Sequence, residues 1–213
     1  MVTTRRCGEN EPMADILILF YSRYGSTANL ARQVARGVDS VEGATARLRT
    51  VPPVAAITES AAPPVPDSGA PYVKLEDLEQ CAGLILGSPV RFGNMAAPLK
   101  AFLDTTASVW LSGGLSGKPA GVFASGQSMH GGQEATLLSM LLPLFHHGMV
   151  LVGVPFTEKA MSTTLSGGTP YGASHVAGHE ARPALTDDER AVARALGRRV
   201  ASLAVCLEAA TRP

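Results

Sequence analysis

The sequence predicts an α/β protein built on a doubly wound parallel sheet. Strand-like apolar runs recur at residues 16–21, 44–51, 83–87, 120–125 and 149–154, and helical patterns alternate with them at 28–38, 75–80, 97–106 and 133–147. The runs are continuously apolar, as in parallel strands covered on both faces. A last helix is expected over 187–207. Five strands and five helices in this order suggest a flavodoxin-like five-stranded sheet with helices on both faces. Such sheets bind ligands beyond the carboxyl ends of their strands, near the switch point in strand order.

The elements follow in order. The first strand runs into Ser22-Arg23-Tyr24-Gly25-Ser26-Thr27, and that turn opens the first helix. The Met140, Leu141, Leu142, Leu144 group reads as plain helix core. The last helix begins Thr186-Asp187-Asp188-Glu189, a Thr-x-x-Glu capping box. Acidic residues at its front, with Arg198 and Arg199 further along, suit the helix dipole. Two segments exceed the minimal fold. Residues 52–71 hold six prolines and read as a long irregular loop, and 155–185 read as another. Loops this long in a compact domain are usually functional or disordered. The second favours function, because Gly167-Gly168-Thr169-Pro170-Tyr171-Gly172 is ordered turn chemistry. The expectation is one domain over 15–209, with long loops at 52–72 and 155–185 and a disordered extension at 1–14.

Composition excludes several classes. Lys+Arg and Asp+Glu both number 18, so the formal net charge is zero, and no basic cluster exceeds two in a row. Nucleic-acid and anionic-membrane binding have no electrostatic support. The three cysteines, Cys7, Cys81 and Cys206, are far apart and make neither a disulfide framework nor a metal motif. That usage fits a reducing cytoplasm. The most apolar run, 137–145, contains Ser139 and Pro143 and is too short to span a bilayer.

The chemistry concentrates in three loops. A strand, a hydroxyl- and glycine-rich turn and a helix start aim backbone N–H groups and a helix dipole at one point, where a phosphate can sit. The turn at 22–27 is neither Gly-x-Gly-x-x-Gly nor Gly-x-x-x-x-Gly-Lys-Ser/Thr. Neutral Ser/Thr donors without a lysine suit a monophosphate, with flavin mononucleotide (FMN) the obvious candidate. An ordinary βα turn with a Ser/Thr cap is the bland alternative, and this loop alone leaves both open. The second loop is Ser88-Pro89-Val90-Arg91-Phe92-Gly93-Asn94, and the third runs Ser125-Gly126-Gln127-Ser128-Met129-His130-Gly131-Gly132-Gln133. In a parallel sheet all three lie on one edge. The second and third can flank a planar ring with backbone amides, Phe92 and small polar groups, as a flavin requires.

At these residues the chain resembles the WrbA-type NAD(P)H:quinone oxidoreductases, also called Trp repressor-binding proteins. The resemblance rests on Tyr21-Ser22-Arg23-Tyr24-Gly25, Arg91-Phe92-Gly93-Asn94-Met95, His130-Gly131-Gly132-Gln133-Glu134, His146-His147-Gly148-Met149 and Gly167-Gly168-Thr169-Pro170-Tyr171-Gly172-Ala173. It implies a homotetrameric FMN enzyme that reduces quinones with NADH or NADPH. It puts the FMN phosphate on Ser22, Arg23, Tyr24, Gly25, Ser26 and Thr27, with Tyr24 also near the nicotinamide. Val90, Arg91, Phe92, Gly93 and Asn94 would frame the ring. Ser125, Gly126, Gln127, Ser128, Met129 and His130 would hold its other edge. His146 would contact the cofactor site, and Trp110 would lie beside the substrate. Val90 replaces a common threonine of the family, leaving backbone contacts there without a hydroxyl.

Each residue has a plainer reading. Arg91 could be a solvated charge, His130 a turn residue, and His146 and His147 dipole partners at a helix end. His146 over a flavin could contact the cofactor first and deliver a proton second. Trp110, the single tryptophan, would usually be core. Its neighbours Ser108, Ser112, Gly113 and Gly114 make it loop-like, so a stacking wall beside the substrate is the expected role. Two rival functions stand beside the enzyme: a flavodoxin-like FMN electron carrier, and a non-catalytic FMN-stabilised regulatory or binding protein. A carrier is expected to be acidic for steering, and this chain is neutral.

Overall fold

Four strands frame the sheet: β1 Ala14–Phe20, β2 Ala44–Thr50, β3 Gly83–Pro89 and β4 Pro119–Gly126. The computed structural model describes residues 13–54, 66, 68–178 and 184–211. Most of residues 1–14, and of the proline-rich loop, lie outside the described residues, as do 179–183. Ala14 already pairs with Ala44, so the sheet includes the last residue of the segment expected as an extension. All pairings are parallel, and the strand order is β2-β1-β3-β4 followed by the fifth position. Helices α1 Ser26–Val38, α2 Leu75–Gln80, α3 Ala97–Leu103, α4 Ala107–Leu111 and α5 Gln133–His146 connect the strands.

The fifth strand is where expectation and structure part. The stretch expected as one strand over 149–154 yields only β5 Val150–Leu151, paired with Pro119–Ala120 at the start of β4. The carboxyl half of β4 pairs instead with β6 Ala173–Val176. The sheet therefore has six strands, two of which share the fifth position. Residues between them form α6 Ala160–Thr163 and a tight Thr169–Gly172 bridge. The excursion closes on itself, because the Val154 N–H donates to the Pro170 carbonyl at 3.0 Å. Part of the expected irregular loop is thus sheet and helix, and its glycine run packs within its own chain. Alternation of small and apolar residues over 173–176 is too short to announce a strand that pairs so far along the chain.

Burial follows the pleat. Ile16, Ile18 and Phe20 of β1 face one core with α1 and α7 Asp187–Thr211, whereas Leu17 and Leu19 face a second core with α3 and α5. Helix α7 runs past residue 207, the end expected from its sequence. The helix expected over 97–106 stops at Leu103, and α4 follows after a turn. Of the supposed α5 core group, Met140 and Leu144 are buried but Leu142 is 60% exposed.

Two backbone approaches fix the layers. A Cβ on Gly37 would lie 2.1 Å from the Arg194 carbonyl oxygen, and one on Gly197 would lie 2.1 Å from that of Val34. Helices α1 and α7 therefore meet backbone to backbone. The capping box of α7 forms as expected, with Thr186 Oγ1 accepting from the Glu189 N–H at 3.1 Å. Glu189 does more than cap. Its fully buried Oε1 accepts from Ser166 Oγ at 3.0 Å, the Gly167 N–H at 3.0 Å and the Val176 N–H at 3.1 Å. Its Oε2 accepts from the Thr186 N–H at 2.9 Å and His175 Nδ1 at 2.9 Å. One carboxylate thus ties the excursion, β6 and the start of α7 together. Burial alone would push its pKa up. The His175 and backbone donors overcome that and pull it from 4.5 down to about 2.

Two outcomes are expected. Ala normally stabilises a helix interior over Gly by about 1 kcal/mol. At Gly197 the backbone clash should prevail, destabilising Gly197→Ala by about 1–3 kcal/mol and lowering the melting temperature by at least about 3 °C in a circular dichroism melt. An unchanged or higher melting temperature would contradict the close helix contact. For Glu189, the folded value lies below the unfolded one. Its contribution, up to about 3 kcal/mol, is complete above pH 4.5 and is lost as pH falls towards about 2. Denaturant unfolding should therefore show Glu189→Gln less stable than wild type at pH 7, with the gap narrowing between pH 4.5 and pH 3. A pH-independent gap would contradict an ionised Glu189.

Candidate cofactor-binding site

Sheet pairing continues into the loops. Phe20 is registered with Gly87 and Pro89 with Ser125, so the carboxyl ends of β1, β3 and β4 are adjacent. Beyond them the Tyr21 N–H donates to the Gly87 carbonyl at 3.0 Å and the Val90 N–H to that of Ser125 at 2.8 Å. On the far side the Ala177 N–H donates to the Gly126 carbonyl at 2.8 Å, so the end of β6 joins the same rim.

The first loop is a helix start with donors to spare. Gly25 caps α1 with φ 90°, a left-handed conformation that its missing Cβ permits. Ser22 Oγ accepts from the Ala28 N–H at 3.2 Å, and the Asn29 N–H closes on the Gly25 carbonyl at 2.9 Å. The N–H groups of Ser26 and Thr27 belong to the first turn and have no intrahelical acceptor. The first turn carries no acidic residue, so nothing on it neutralises the positive helix end. The helix begins at Ser26, two residues before the expected start, and Ser22 instead of Ser26 or Thr27 supplies the hydroxyl that caps it.

The second loop is a two-residue reversal. Arg91 and Asn94 exchange backbone bonds of 2.8 and 2.9 Å, with Phe92 at φ 51° and Gly93 at φ 75° between them. Both central residues are left-handed, as in a type I′ turn. Phe92 is the one non-glycine residue with positive φ among the described residues, and its ring is fully exposed. Strain of this kind concentrates at functional sites. Ser88 Oγ anchors the loop's end by accepting from the Ala96 N–H at 2.8 Å.

The third loop is held by Gln133, whose side chain is buried. Its Nε2 donates to the Ser128 carbonyl at 2.6 Å and lies where a Cβ on Gly126 would come within 2.6 Å. A Cβ on Gly132 would lie 3.3 Å from the Gly93 Cα, so the second and third loops touch.

Between the loops lies a cleft of about 250 Å³. Ser22, Arg23, Tyr24, Ser26 and Thr27 line it from the first loop, Pro89, Val90 and Arg91 from the second, and Ser125, Gly126 and Gln127 from the third. Ala177 closes the far wall. Among the described residues the lining holds hydroxyls, two guanidinium groups and no carboxylate. Hydroxyl donors, two unclaimed helical N–H groups and a floor of Ser125 and Gly126 fit a phosphate monoester joined to a flat ring. The Arg23 guanidinium lies 5.4 Å from the centre of the exposed Tyr24 ring.

Other expected site residues stand apart. Asn94 lines a neighbouring cleft with Arg23 and Arg91. Met129 and His130 line a cavity of about 470 Å³ against Gly167, Gly168 and Thr169. Ser128 contributes its carbonyl to Gln133, and Phe92 and Gly93 form the turn beside the cleft. His146 ends α5, whose 14 residues carry it about 21 Å from the loop edge. It lies near the start of β4, where the Gly117 N–H donates to the Gly148 carbonyl at 2.9 Å. Trp110 belongs to the same end, because Thr106 Oγ1 at the start of α4 meets His147 Nε2 at 3.0 Å. It sits on a helix and not in the expected loop, and is 52% exposed. Thr106 gives its proton to the Leu103 carbonyl, so His147 Nε2 donates and its buried Nδ1 is left without a partner. Burial, and secondarily His146, lowers the His147 pKa from 6.5 and keeps the ring neutral. One protomer therefore does not bring His146 and Trp110 to its own cleft.

Sequence reasoning missed Ala177, Gln133 as the loop's anchor, and Glu189 as a buried tie. Ala177 was hidden by the unread β6. Gln133 carried a signal, a polar residue directly after two glycines at a helix start.

A 2-1-3-4-5 parallel sheet with its cleft beyond the strand ends defines a flavodoxin-like α/β protein. The chain belongs to the NADPH-dependent FMN reductase family, whose model matches residues 16–160. It is 43% identical over 206 residues to an NAD(P)H dehydrogenase (quinone) of Trichlorobacter lovleyi, covering 92% of this chain and all of that one. A protein of the same description from Solidesulfovibrio magneticus is 41% identical over 196 residues, 89% of this chain and 97% of its own. Among solved structures, a WrbA-like flavodoxin from Agrobacterium tumefaciens superposes with TM-score 0.63 at 21% identity, covering 91% of this chain and 98% of that one. Oxidised flavodoxin 1 from Bacillus cereus gives TM-score 0.56 at 18% identity, covering 88% and 97%. Both likenesses concern the fold.

The cleft makes a sharp test. Thr27→Glu removes a hydroxyl and adds a like charge where a phosphate would sit. Losing a hydrogen bond to a charged group costs about 1.5–3 kcal/mol, so FMN affinity should fall at least about tenfold. Thr27 is buried, so a circular dichroism melt first establishes that the variant folds, which an acidic residue in a first helical turn favours. Fluorescence titration of FMN into apoprotein reads the change, and equal dissociation constants would move the phosphate elsewhere.

Proposed function

We propose that this chain is a WrbA-type enzyme that reduces quinones by two electrons at the expense of NADH or NADPH, with FMN in the cleft. The observation that carries the reading is the convergence of three strand-end loops on one cationic, hydroxyl-lined cleft. Ser22, Ser26 and Thr27, with the free N–H groups of the first turn, would hold the phosphate. Arg23 would offset its charge. The backbone of residues 90–94 and 125–130 would orient the ring, and exposed Tyr24 would receive the nicotinamide. FMN, when bound, supplies the two-electron chemistry, and no protein nucleophile is required. Among the described residues, no cluster of His, Cys, Asp and Glu is placed to hold a metal, and no helix is long and apolar enough to cross a membrane.

The proposal includes a homotetramer. Leu138, Leu142 and Phe145 lie on one face of α5 and are 44%, 60% and 63% exposed, and Trp110 and Leu111 are exposed on α4 near the same end. An apolar helix face of this extent marks an interaction surface. Packing a second copy there would let the partner's His146 and the partner's Trp110 reach a cleft that they cannot reach in their own chain. The partner's His146 would contact the cofactor and be placed to hand a proton to the quinone, and the partner's Trp110 would wall the substrate. A cytoplasmic setting is part of the same reading: Cys81 is buried and unbonded, its thiol pushed up to about 11 chiefly by burial.

Purified protein with FMN, NADH or NADPH and benzoquinone should consume the nicotinamide, with parallel double-reciprocal lines from one shared pocket. Failure of both nicotinamides to bleach the bound flavin would overturn the reading. Light scattering should give a tetramer. Leu142→Asp should dissociate it and cut turnover at least about tenfold while retaining FMN. A fully active monomer would refute the shared site.

A further inference from the structure

Beside the FMN cleft lies a second cleft of about 640 Å³ that the chemistry above leaves unused. It shares Arg23 and Arg91 with its neighbour and adds Lys100 from α3. Tyr21, Pro98 and Met95 supply flat and apolar wall. Among the described residues three cations line it, and no carboxylate does. In a chain of zero net charge that is a local concentration of one sign. Lys100 Nζ pairs with Asp104 Oδ1 at 2.5 Å across an exposed helical turn. Exposed pairs of this kind are weak, so a dianion can displace Asp104 from the ammonium. Among the described residues the Arg91 guanidinium donates to its own loop's Val90 carbonyl at 2.7 Å from one nitrogen, Nη1, leaving other donors for a ligand.

We propose that this second cleft holds the adenosine end of the nicotinamide co-substrate, with Lys100 and Arg91 on its 2′-phosphate, and so selects NADPH over NADH. The inference rests on the proposed function, because it assigns the co-substrate's far end to that same site. The shared arginines make the two clefts continuous, so a dinucleotide whose nicotinamide lies at the first can extend into the second. A 2′-phosphate is a dianion that suits forked guanidinium donors and a mobile ammonium. The flat and apolar wall suits a purine. NADH lacks the 2′-phosphate and would leave Lys100 with Asp104.

The test uses FMN-loaded protein and two probes, adenosine 2′,5′-bisphosphate and adenosine 5′-monophosphate, in calorimetric titration. Wild type should bind the bisphosphate at least about tenfold more tightly, and the difference should shrink as salt rises. Lys100→Gln should remove most of that difference, raise KM for NADPH about tenfold and leave KM for NADH unchanged. Equal binding of the two probes by wild type, or equal loss for both in the variant, would overturn the inference. Failure of both nicotinamides to bleach the flavin would overturn the proposed function instead, and the titration would still decide the cleft.

Discussion

Everything at the candidate site depends on the parallel register of β1, β3 and β4. Adjacent strands lie about 4.8 Å apart, and here Phe20, Gly87 and Phe123 are in register across three of them. That register sets Ser22, Val90 and Ser125 side by side although they are far apart in sequence. The register itself needs small residues at chosen points. A Cβ on Gly87 would lie 2.0 Å from the ring of fully buried Phe123, so the ring occupies the space over β3 that any side chain there would fill. The site is thus an output of core packing. Each loop then adds its own stiffening: the Gly25 cap, the left-handed Phe92-Gly93 turn, and the Gln133 tie.

The split fifth position shows how an insertion is accommodated. Leaving the sheet after β5 and returning as β6 exposes backbone groups that must find partners. Glu189 answers three of the resulting N–H groups and two side chains at once. Because β6 leads directly into Ala177 in the cleft wall, the same carboxylate supports the site from the side away from the loops.

The sheet order and four of its strands were legible because continuous apolar runs, turn residues and caps agree along the chain. The start of α7 was legible for the same reason, in its Thr186–Glu189 box. β6 was not, since a short strand flanked by glycines and threonines takes its identity from pairing with β4, a long-range contact that local sequence does not encode. Convergence of Ser22–Thr27, Val90–Arg91 and Ser125–Gln127 followed from topology alone. The placing of His146 and Trp110 did not. Their motifs name them as site residues, whereas chain geometry puts them about one helix length away. The proposed assembly would reconcile the two, and a single chain's sequence carries no direct record of contacts between copies.

The most direct measurement is the mass of the flavin released on denaturing the purified, flavin-loaded protein, with its stoichiometry per chain. A cleft built for one phosphate at one helix start predicts FMN at one per chain. Stoichiometric FAD, or a protein that retains no flavin after loading with FMN, would contradict a monophosphate site formed by the three converging loops.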